Sequence, residues 1–255
     1  MDVPLKERRQ RQILELAQSS QQVTVGELSR RFGVSEITIR RDLQDLADQG
    51  LLQRAHGGAI TFPVAPPEPP VMQRCCEQED EKNRIGKAVA QLVNDGETIL
   101  LSSGTTVLEV ISNLHNKHIT VITNSLPIMN AVADLPSIKL VGLGGVFRRS
   151  EMSLIGHLTE QSLTEVRADK VIMGIRAIDL EHGLTNDYLE ETLTDRAILR
   201  TGREVIIAAD HTKIGRVSTA FVAPLSAVHT LVTDKGAPEE FLTALIERGI
   251  RVITV

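Results

Sequence analysis

Ten residues divide this chain before anything else is decided. Phe62–Val71 reads FPVAPPEPPV, with prolines at 63, 66, 67, 69 and 70. Each proline fixes φ and removes a backbone donor, so the stretch reads as extended, semi-rigid linker rather than helix. The organisation expected is a first domain over residues 1–60, a linker over 61–78 and a second domain over 79–255. At 255 residues and 42% hydrophobic, the chain can build a core on both sides of that boundary.

Composition narrows the function classes. Five Phe, one Tyr and no Trp imply aliphatic cores and leave little aromatic surface for stacking single-stranded bases. The two cysteines, Cys75 and Cys76, are adjacent, which suits neither a disulfide framework nor a zinc site. The N-terminus lacks the apolar core of a secretory signal, and no run approaches 18 apolar residues. A cytoplasmic protein with no membrane span, no metal and no cofactor is expected. The net charge is −5, so the whole chain is not a basic nucleic-acid binder. Residues 1–60 differ: nine Lys and Arg face eight Asp and Glu, for +1, and the arginines cluster.

Those first 60 residues carry a compact pattern. Pro4–Gln18 reads as a helix with an Ile13, Leu14, Leu16, Ala17 stripe and basic first turns at Arg8, Arg9 and Arg11. Val23–Val25 reads as extended and Gly26–Phe32 as a second helix, with Gly33 suited to a left-handed stop. Ser35 is a good N-cap for a third helix running to about Asp48 and stopping at Gly50. At 100° per residue Ile39, Leu43 and Leu46 form its buried stripe. Ile37, Thr38, Arg41, Gln44 and Asp45 fall on the opposite side, with Arg40 on the flank. An arginine fork and methyl-bearing side chains on one exposed face are the groups that read a major groove. Arg40, Arg30, Arg31 and the Arg8–Arg11 cluster suit phosphates. Leu51–Ile60 then gives two short extended runs around Gly57-Gly58, a hairpin that would be a wing, with Arg54 and His56 able to reach backbone or minor groove. DNA contacts are therefore expected from Ser35, Glu36, Ile37, Thr38, Arg40, Arg41, Arg54 and His56. A small helical bundle with solvated arginines is the plain alternative, and it does not account for the whole combination.

From Glu79 onward helices and short β-branched strands alternate. Helices are expected at Glu81–Val93, Thr105–His115, Pro127–Ala133, Ile155–Val166, Leu189–Arg200 and Pro238–Arg248. Strands are expected at Thr98–Leu101, Thr120–Thr123, Lys139–Val141, Lys170–Met173, Glu204–Ala208 and Arg251–Val255, with further ones near Thr219–Val222 and Thr230–Val232. Such alternation implies an α/β domain with a mostly parallel sheet, whose ligands bind beyond the carboxyl ends of the strands.

Five polar loops fall at such ends. Ser102-Ser103-Gly104-Thr105-Thr106 offers hydroxyls and backbone N–H groups to an anion. It lacks the lysine of a P-loop, so nucleotide hydrolysis is not implied. Asn124-Ser125 is the second. The third, around Gly144, Gly145 and Arg148, lacks the third glycine and the downstream acid of a dinucleotide fingerprint. The fourth runs from Gly174 through Arg176 and Asp179 to Thr185, with Glu191 on the following helix, and the fifth holds Asp210 and Lys213. Together they point to a small anionic ligand.

These residues resemble the DeoR-type family of bacterial sugar-metabolism regulators over nearly the full length. The first domain carries Val34-Ser35, Thr38–Leu43, Gly50 and Arg54–Ala59 of that pattern. The second carries Ser103–Thr106, Thr123–Ser125, Gly144-Gly145 with Arg148, Ala168–Lys170, Gly183–Thr185 and Asp210-x-Thr212-Lys213. The resemblance implies a winged helix-turn-helix joined to a sensor folded like ribose-5-phosphate isomerase and the CoA-transferases. It also implies a phosphorylated sugar effector that weakens the grip on operator DNA. Three positions depart from the family's usual residues: Ser102 and Arg176 each stand where Asp is common, and Thr192 where Ala is.

The expectation is a repressor of a carbohydrate-utilisation operon, working as a homodimer or homotetramer on double-stranded operator DNA. Two alternatives are a sugar-phosphate isomerase with a DNA-binding head and an activator using the same contacts. The isomerase needs a positioned carboxylate base, for which Asp179, Glu191 and Asp210 are available, yet Ser102 and Arg176 remove acids from the site.

Overall fold

The computed structural model describes residues 5–20, 22–48, 52–55, 58–60 and 69–255. They fall into two compact units, Met1–Val64 and Ala65–Val255.

The first unit runs α1 (Leu5–Ser20), β1 (Gln22–Thr24), α2 (Val25–Phe32), α3 (Glu36–Asp48), β2 (Gln53–Ala55) and β3 (Gly58–Ile60). The strands form an antiparallel sheet in the order β1-β3-β2. Ile13, Ala17, Leu28, Ile39, Leu43 and Leu46 make the core that the helical stripes pointed to. Helix α2 starts one residue earlier than expected because Thr24 closes a capping box: the Glu27 N–H donates to Thr24 Oγ1, and the Glu27 carboxylate accepts from the Thr24 N–H. Gly33 ends α2 at φ 64°, the left-handed conformation that stops a helix. Gly58, read as half of a turn, is the first residue of β3 and pairs with Thr24. A Cβ there would lie 2.0 Å from the Val23 carbonyl oxygen, so the glycine is required for strand approach. The helix stop at Gly50, together with His56 and Gly57, lies outside the described residues.

The second unit opens with α4 (Val71–Arg74) and α5 (Glu79–Gln91), followed by β4 (Thr98–Leu101), α6 (Thr105–Ile111), β5 (Ile119–Thr123), α7 (Leu126–Ala133) and β6 (Ile138–Gly142). Next come β7 (Val146–Arg148), β8 (Ser153–Ile155), α8 (His157–Thr164), β9 (Ala168–Met173), β10 (Ala177–Asp179), β11 (Gly183–Asn186) and α9 (Leu189–Leu199). It closes with β12 (Gly202–Ala208), β13 (Ala220–Ala223), β14 (Thr230–Thr233), α10 (Glu239–Glu247) and β15 (Arg251–Thr254). Seven strands form one wholly parallel sheet in the order β15-β14-β12-β9-β4-β5-β6.

Both faces of that sheet are covered, so its strands are continuous apolar runs rather than alternating ones. Ile99, Leu101, Val121 and Ile172 face α5, α6 and α7 through Ile85, Val110 and Ile128. Leu100, Ile122, Val171 and Ile207 face the other way, toward Leu163 of α8, Ile198 of α9 and Leu245 of α10.

Three features correct the sequence reading. The helix expected from Ile155 starts at His157, because Ser153–Ile155 pairs with Val146–Arg148 as a hairpin. The strand near Thr219 joins β10 and β11 in a small second sheet instead of the main one. Part of the expected linker, Val71–Arg74, is a helical turn packed on its own unit, with the Val71 N–H bonded to the Ser150 carbonyl at 2.8 Å. Val71 is only 4% exposed, and burial of that apolar side chain overrides the extended bias of the prolines before it.

Candidate functional site

Two surfaces carry the residues singled out above. On α3 the Thr38 N–H donates to Ser35 Oγ at 3.3 Å and the Ile39 N–H to the Ser35 carbonyl at 3.1 Å, so Ser35 caps the helix. Ile39 and Leu43 are fully buried, while Ile37 is 63% exposed and Glu36, Arg40 and Arg41 are exposed beside it. Thr38 is half-buried. Arg40 pairs with Glu36 at 3.0 Å along the helix. Arg54 lies in β2.

Two members of this surface are structural. Arg9, grouped with phosphate-facing arginines, instead grips Asp42 with Nε at 2.6 Å and a second nitrogen at 3.2 Å. Asp42 is 1% exposed, so this fork joins α1 to α3 through a buried charge. Asp45, assigned to the outer face by helical geometry, is half-buried and accepts from Lys6 at 2.7 Å and Gln10 at 3.1 Å. A helical wheel could not show that α1 crosses there.

In the second unit the order of the parallel strands reverses between β4 and β9: the chain proceeds from β4 to β5 and β6 on one side, then returns to β9, β12, β14 and β15 on the other. Ligands in such sheets bind at the carboxyl ends flanking this reversal. A cavity of about 80 Å³ lies there, lined by Ser102–Thr106 after β4, Met173–Arg176 after β9 and Ala208–Asp210 with Thr212 and Lys213 after β12. Glu191 and Asp195 of α9 and Asn186 of β11 line it too. Ser102, Ser103, Gly104, Thr105, Thr106, Arg176, Glu191, Asp210 and Lys213 are thus brought together around one cavity.

The other expected ligand residues lie off the cavity. Asn124 Nδ2 donates to the Leu154 carbonyl at 3.0 Å and Ser125 Oγ accepts from Ile128 N–H at 3.5 Å, so this loop anchors β8 and caps α7. Gly144 accepts from Thr159 Oγ1 at 2.7 Å, and a Cβ on Gly145 would meet the same hydroxyl at 2.1 Å. These glycines seat the β7–β8 hairpin against α8. Arg148 then reaches from β7 to pair with Glu191, its guanidinium 4.3 Å from the centre of the Tyr188 ring. It touches a cavity wall rather than the cavity.

Five charged wall residues escaped the sequence reading: Arg74, Glu77, Lys82, Glu151 and Asp195. Arg74 and Glu77 fell in the presumed linker. Lys82 left a readable sign, for it shares the buried face of α5 with Ile85, Gly86 and Val89. A cation at that helical spacing calls for a partner. Asp195 likewise sits one turn beyond Glu191 on α9.

The wall carries charges of both signs. Lys82 is 5% exposed and its Nζ donates to the Arg74 carbonyl at 2.5 Å. Burial holds its pKa below the usual lysine range; Asp210 opposes this, while Lys213 and Arg74 reinforce it. Burial raises Glu191 to about 7 against the pull of Arg148, with Glu151 adding to the rise. Burial, then the Glu191 charge, pushes Asp195 well above the carboxylate range, although Asn186 Nδ2 donates to it at 2.8 Å. Glu191 and Asp195 therefore behave as a coupled carboxyl pair that retains a proton near neutrality. Glu191 Oε1 is buried with no hydrogen-bond partner among the described residues. Cations and a carboxyl pair that shares a proton, lining one small cavity, suit a small ligand with an anionic end and a hydroxylated end.

Sequence comparison assigns the two units separately. Residues 77–235 match the DeoR C terminal sensor domain, and residues 9–62 match the DeoR-like helix-turn-helix domain. The chain belongs to the DeoR family. This DeoR-family chain is 33% identical over 241 residues to the glycerol-3-phosphate regulon repressor of Escherichia coli K12, covering 94% of the chain and 95% of that protein. It is 33% identical over 231 residues to the transcriptional repressor AccR of Agrobacterium fabrum, covering 89% of each. The transcriptional repressor GlcR of Bacillus subtilis is 30% identical over 241 residues, covering 94% of the chain and 93% of GlcR. These relatives are named as regulators rather than enzymes. Among solved structures, ribose 5-phosphate isomerase A of Methanocaldococcus jannaschii is similar at a TM-score of 0.41 and 20% identity, over 54% of this chain and 55% of that one. Among the described residues, no helix is long and apolar enough to cross a membrane.

Proposed function

We propose that this DeoR-family chain is a transcriptional repressor of a carbohydrate-utilisation operon, released from its operator by a phosphorylated sugar bound in the second unit. The observation that carries the reading is the cavity lined by cations, hydroxyls and carboxyls at the strand-order reversal, in a chain that also holds a helix-turn-helix. Lys213 and the Ser102–Thr106 loop meet the phosphate; Glu191, Asp195 and Asn186 meet sugar hydroxyls. Arg41, Ile37 and Thr38 read bases, and Arg40 and Arg54 meet backbone, with Ser35 and Glu36 at the start of the reading helix. The names of the relatives support repression over activation and regulation over isomerase chemistry. The cytoplasm, where operator and sugar phosphates meet, is its place of action.

Two heads are needed to span two operator half-sites about one helical turn apart, so the repressor works as a homodimer or homotetramer. Its α9 side suits self-association. Phe147, Tyr188, Leu189, Leu193 and Phe221 are exposed there, between 39% and 69%, in a chain with only five Phe and one Tyr. Helix α9 packs against both β8 and β13, which makes this one surface of aromatic and arginine side chains.

A thermal-shift screen of the whole chain against sugar phosphates tests the effector reading. A ligand at 100 times its Kd stabilises by about 2.7 kcal/mol, and the same compound releases operator DNA in an anisotropy titration. Stabilisation without release would overturn the regulatory role.

A further inference from the structure

Two of the cations lining the cavity come from the stretch where the second unit begins. Arg74 and Lys82 are 8% and 5% exposed. They belong to one small network. Arg74 Nε donates to the Pro69 carbonyl at 2.8 Å, and another of its guanidinium nitrogens pairs with Glu151. Lys82 Nζ donates to the Arg74 carbonyl at 2.5 Å. With Val71 held to Ser150, these bonds fasten the segment Pro69–Gln78 to its own unit. Lys213, on the far side of the chain in sequence, lines the same cavity and acts electrostatically on Lys82. With Arg176, these make four cations around one small space, three of them nine-tenths buried, and such buried positive charge favours an anion.

We propose that Arg74 and Lys82 bind the anionic group of the effector, and that doing so changes how Pro69–Gln78 is fastened to the second unit. The proposal rests on the sensor reading above and adds the anion's ligands and the signal's exit. The ligand would compete with Glu151 for Arg74, and with the Arg74 carbonyl and the Asp210 charge for Lys82. An anion that draws both cations therefore favours an arrangement in which the Glu151 and carbonyl bonds are weakened. A ligand shifts a conformational equilibrium only through such differential contacts. The segment they hold lies directly before α5 and follows the stretch that joins the two units, so a change in its fastening reaches the DNA-binding unit through the chain itself.

The segment carries its own reporters. Cys75 and Cys76 are the chain's two cysteines. Cys75 is half-buried with Sγ 3.3 Å from the Val71 carbonyl, and Cys76 is exposed. The experiment uses the whole chain with triose, pentose and hexose phosphates, the same sugars without phosphate, and inorganic phosphate. Thermal shift identifies the sugar phosphate that binds, and the rate of thiol modification by a disulfide reagent then follows the segment. The binding compound is expected to change the Cys75 rate severalfold, while its unphosphorylated counterpart does not. Lys82→Met is expected to weaken its binding about tenfold or more, the loss typical of a charge-assisted hydrogen bond. If no sugar phosphate shifts the wild-type chain, the sensor reading fails and takes this proposal with it. If one does bind but leaves the thiol rate unchanged, or binds Lys82→Met and Arg74→Ala as tightly as wild type, the proposal alone is overturned. The thiol measurement on the wild-type chain decides the matter even if a variant does not fold.

Discussion

Adjacent arginines have different tasks when a helix turns them 100° apart. Arg40 pairs with Glu36 on the exposed flank of α3, and Arg41 stands exposed on the outer face. Arg41→Ala should cost about 1–3 kcal/mol of binding to the preferred operator and relax its sequence preference. Anisotropy titrations on matched and scrambled duplexes will show this, and unchanged discrimination would remove Arg41 from base reading. Asp42→Ala should behave differently, because it leaves the Arg9 guanidinium without its carboxylate. Roughly 3 kcal/mol of destabilisation of the first unit is expected on chemical denaturation, the low end for breaking a buried pair since Arg9 is partly exposed. Glu191 is a third case. Its pKa in the fold is raised to about 7 from 4.5, so the folded chain holds the proton more tightly than the unfolded chain. That stabilisation is complete below pH 4.5 and is lost as pH rises through 7. The melting temperature of the wild-type chain should fall from pH 5 to pH 8 more steeply than that of Glu191→Gln; equal slopes would show that Glu191 does not titrate there.

Elements were readable to the degree that their own periodicity defined them. Ile39, Leu43 and Leu46 announced the inner face of α3, and the β-branched runs announced the parallel strands. The hairpin of β7 and β8 was not readable, because strands of three residues have no period to detect and their stability comes from docking on α8 and α9. Gly58 shows the same limit. A glycine pair marks a turn, but only the approach of β1 explains why β3 must begin with one. Gly58→Ala should destabilise the wing sheet by about 1–3 kcal/mol, since the added methyl meets backbone that cannot move aside cheaply. Hydrogen exchange at β1 and β3 is the direct measure, and unaltered protection would mean the strands separate without cost.

For the whole molecule, function depends on joining sites that are remote in sequence. The first domain carries a charge of only +1, so a single head should bind weakly and lose affinity steeply with salt. In the proposed homo-oligomer, pairing of chains is then part of DNA recognition. Leu193→Asp places a charge on the exposed face of α9, where Leu193 is 54% exposed, and should dissociate the assembly in sedimentation experiments while leaving the monomer's fold intact. An unchanged sedimentation coefficient would move the interface elsewhere. What the sequence determined by itself was the two-part plan, the Ser35-capped third helix and a parallel sheet with polar loops at its strand ends, since helical and strand periods, caps and prolines act over a few residues. Only the tertiary structure decided which charges meet. Arg9 finds Asp42 33 positions away and Arg74 finds Glu151 77 positions away, and a charge becomes a strut, a ligand or a solvated residue according to the partner that folding brings to it.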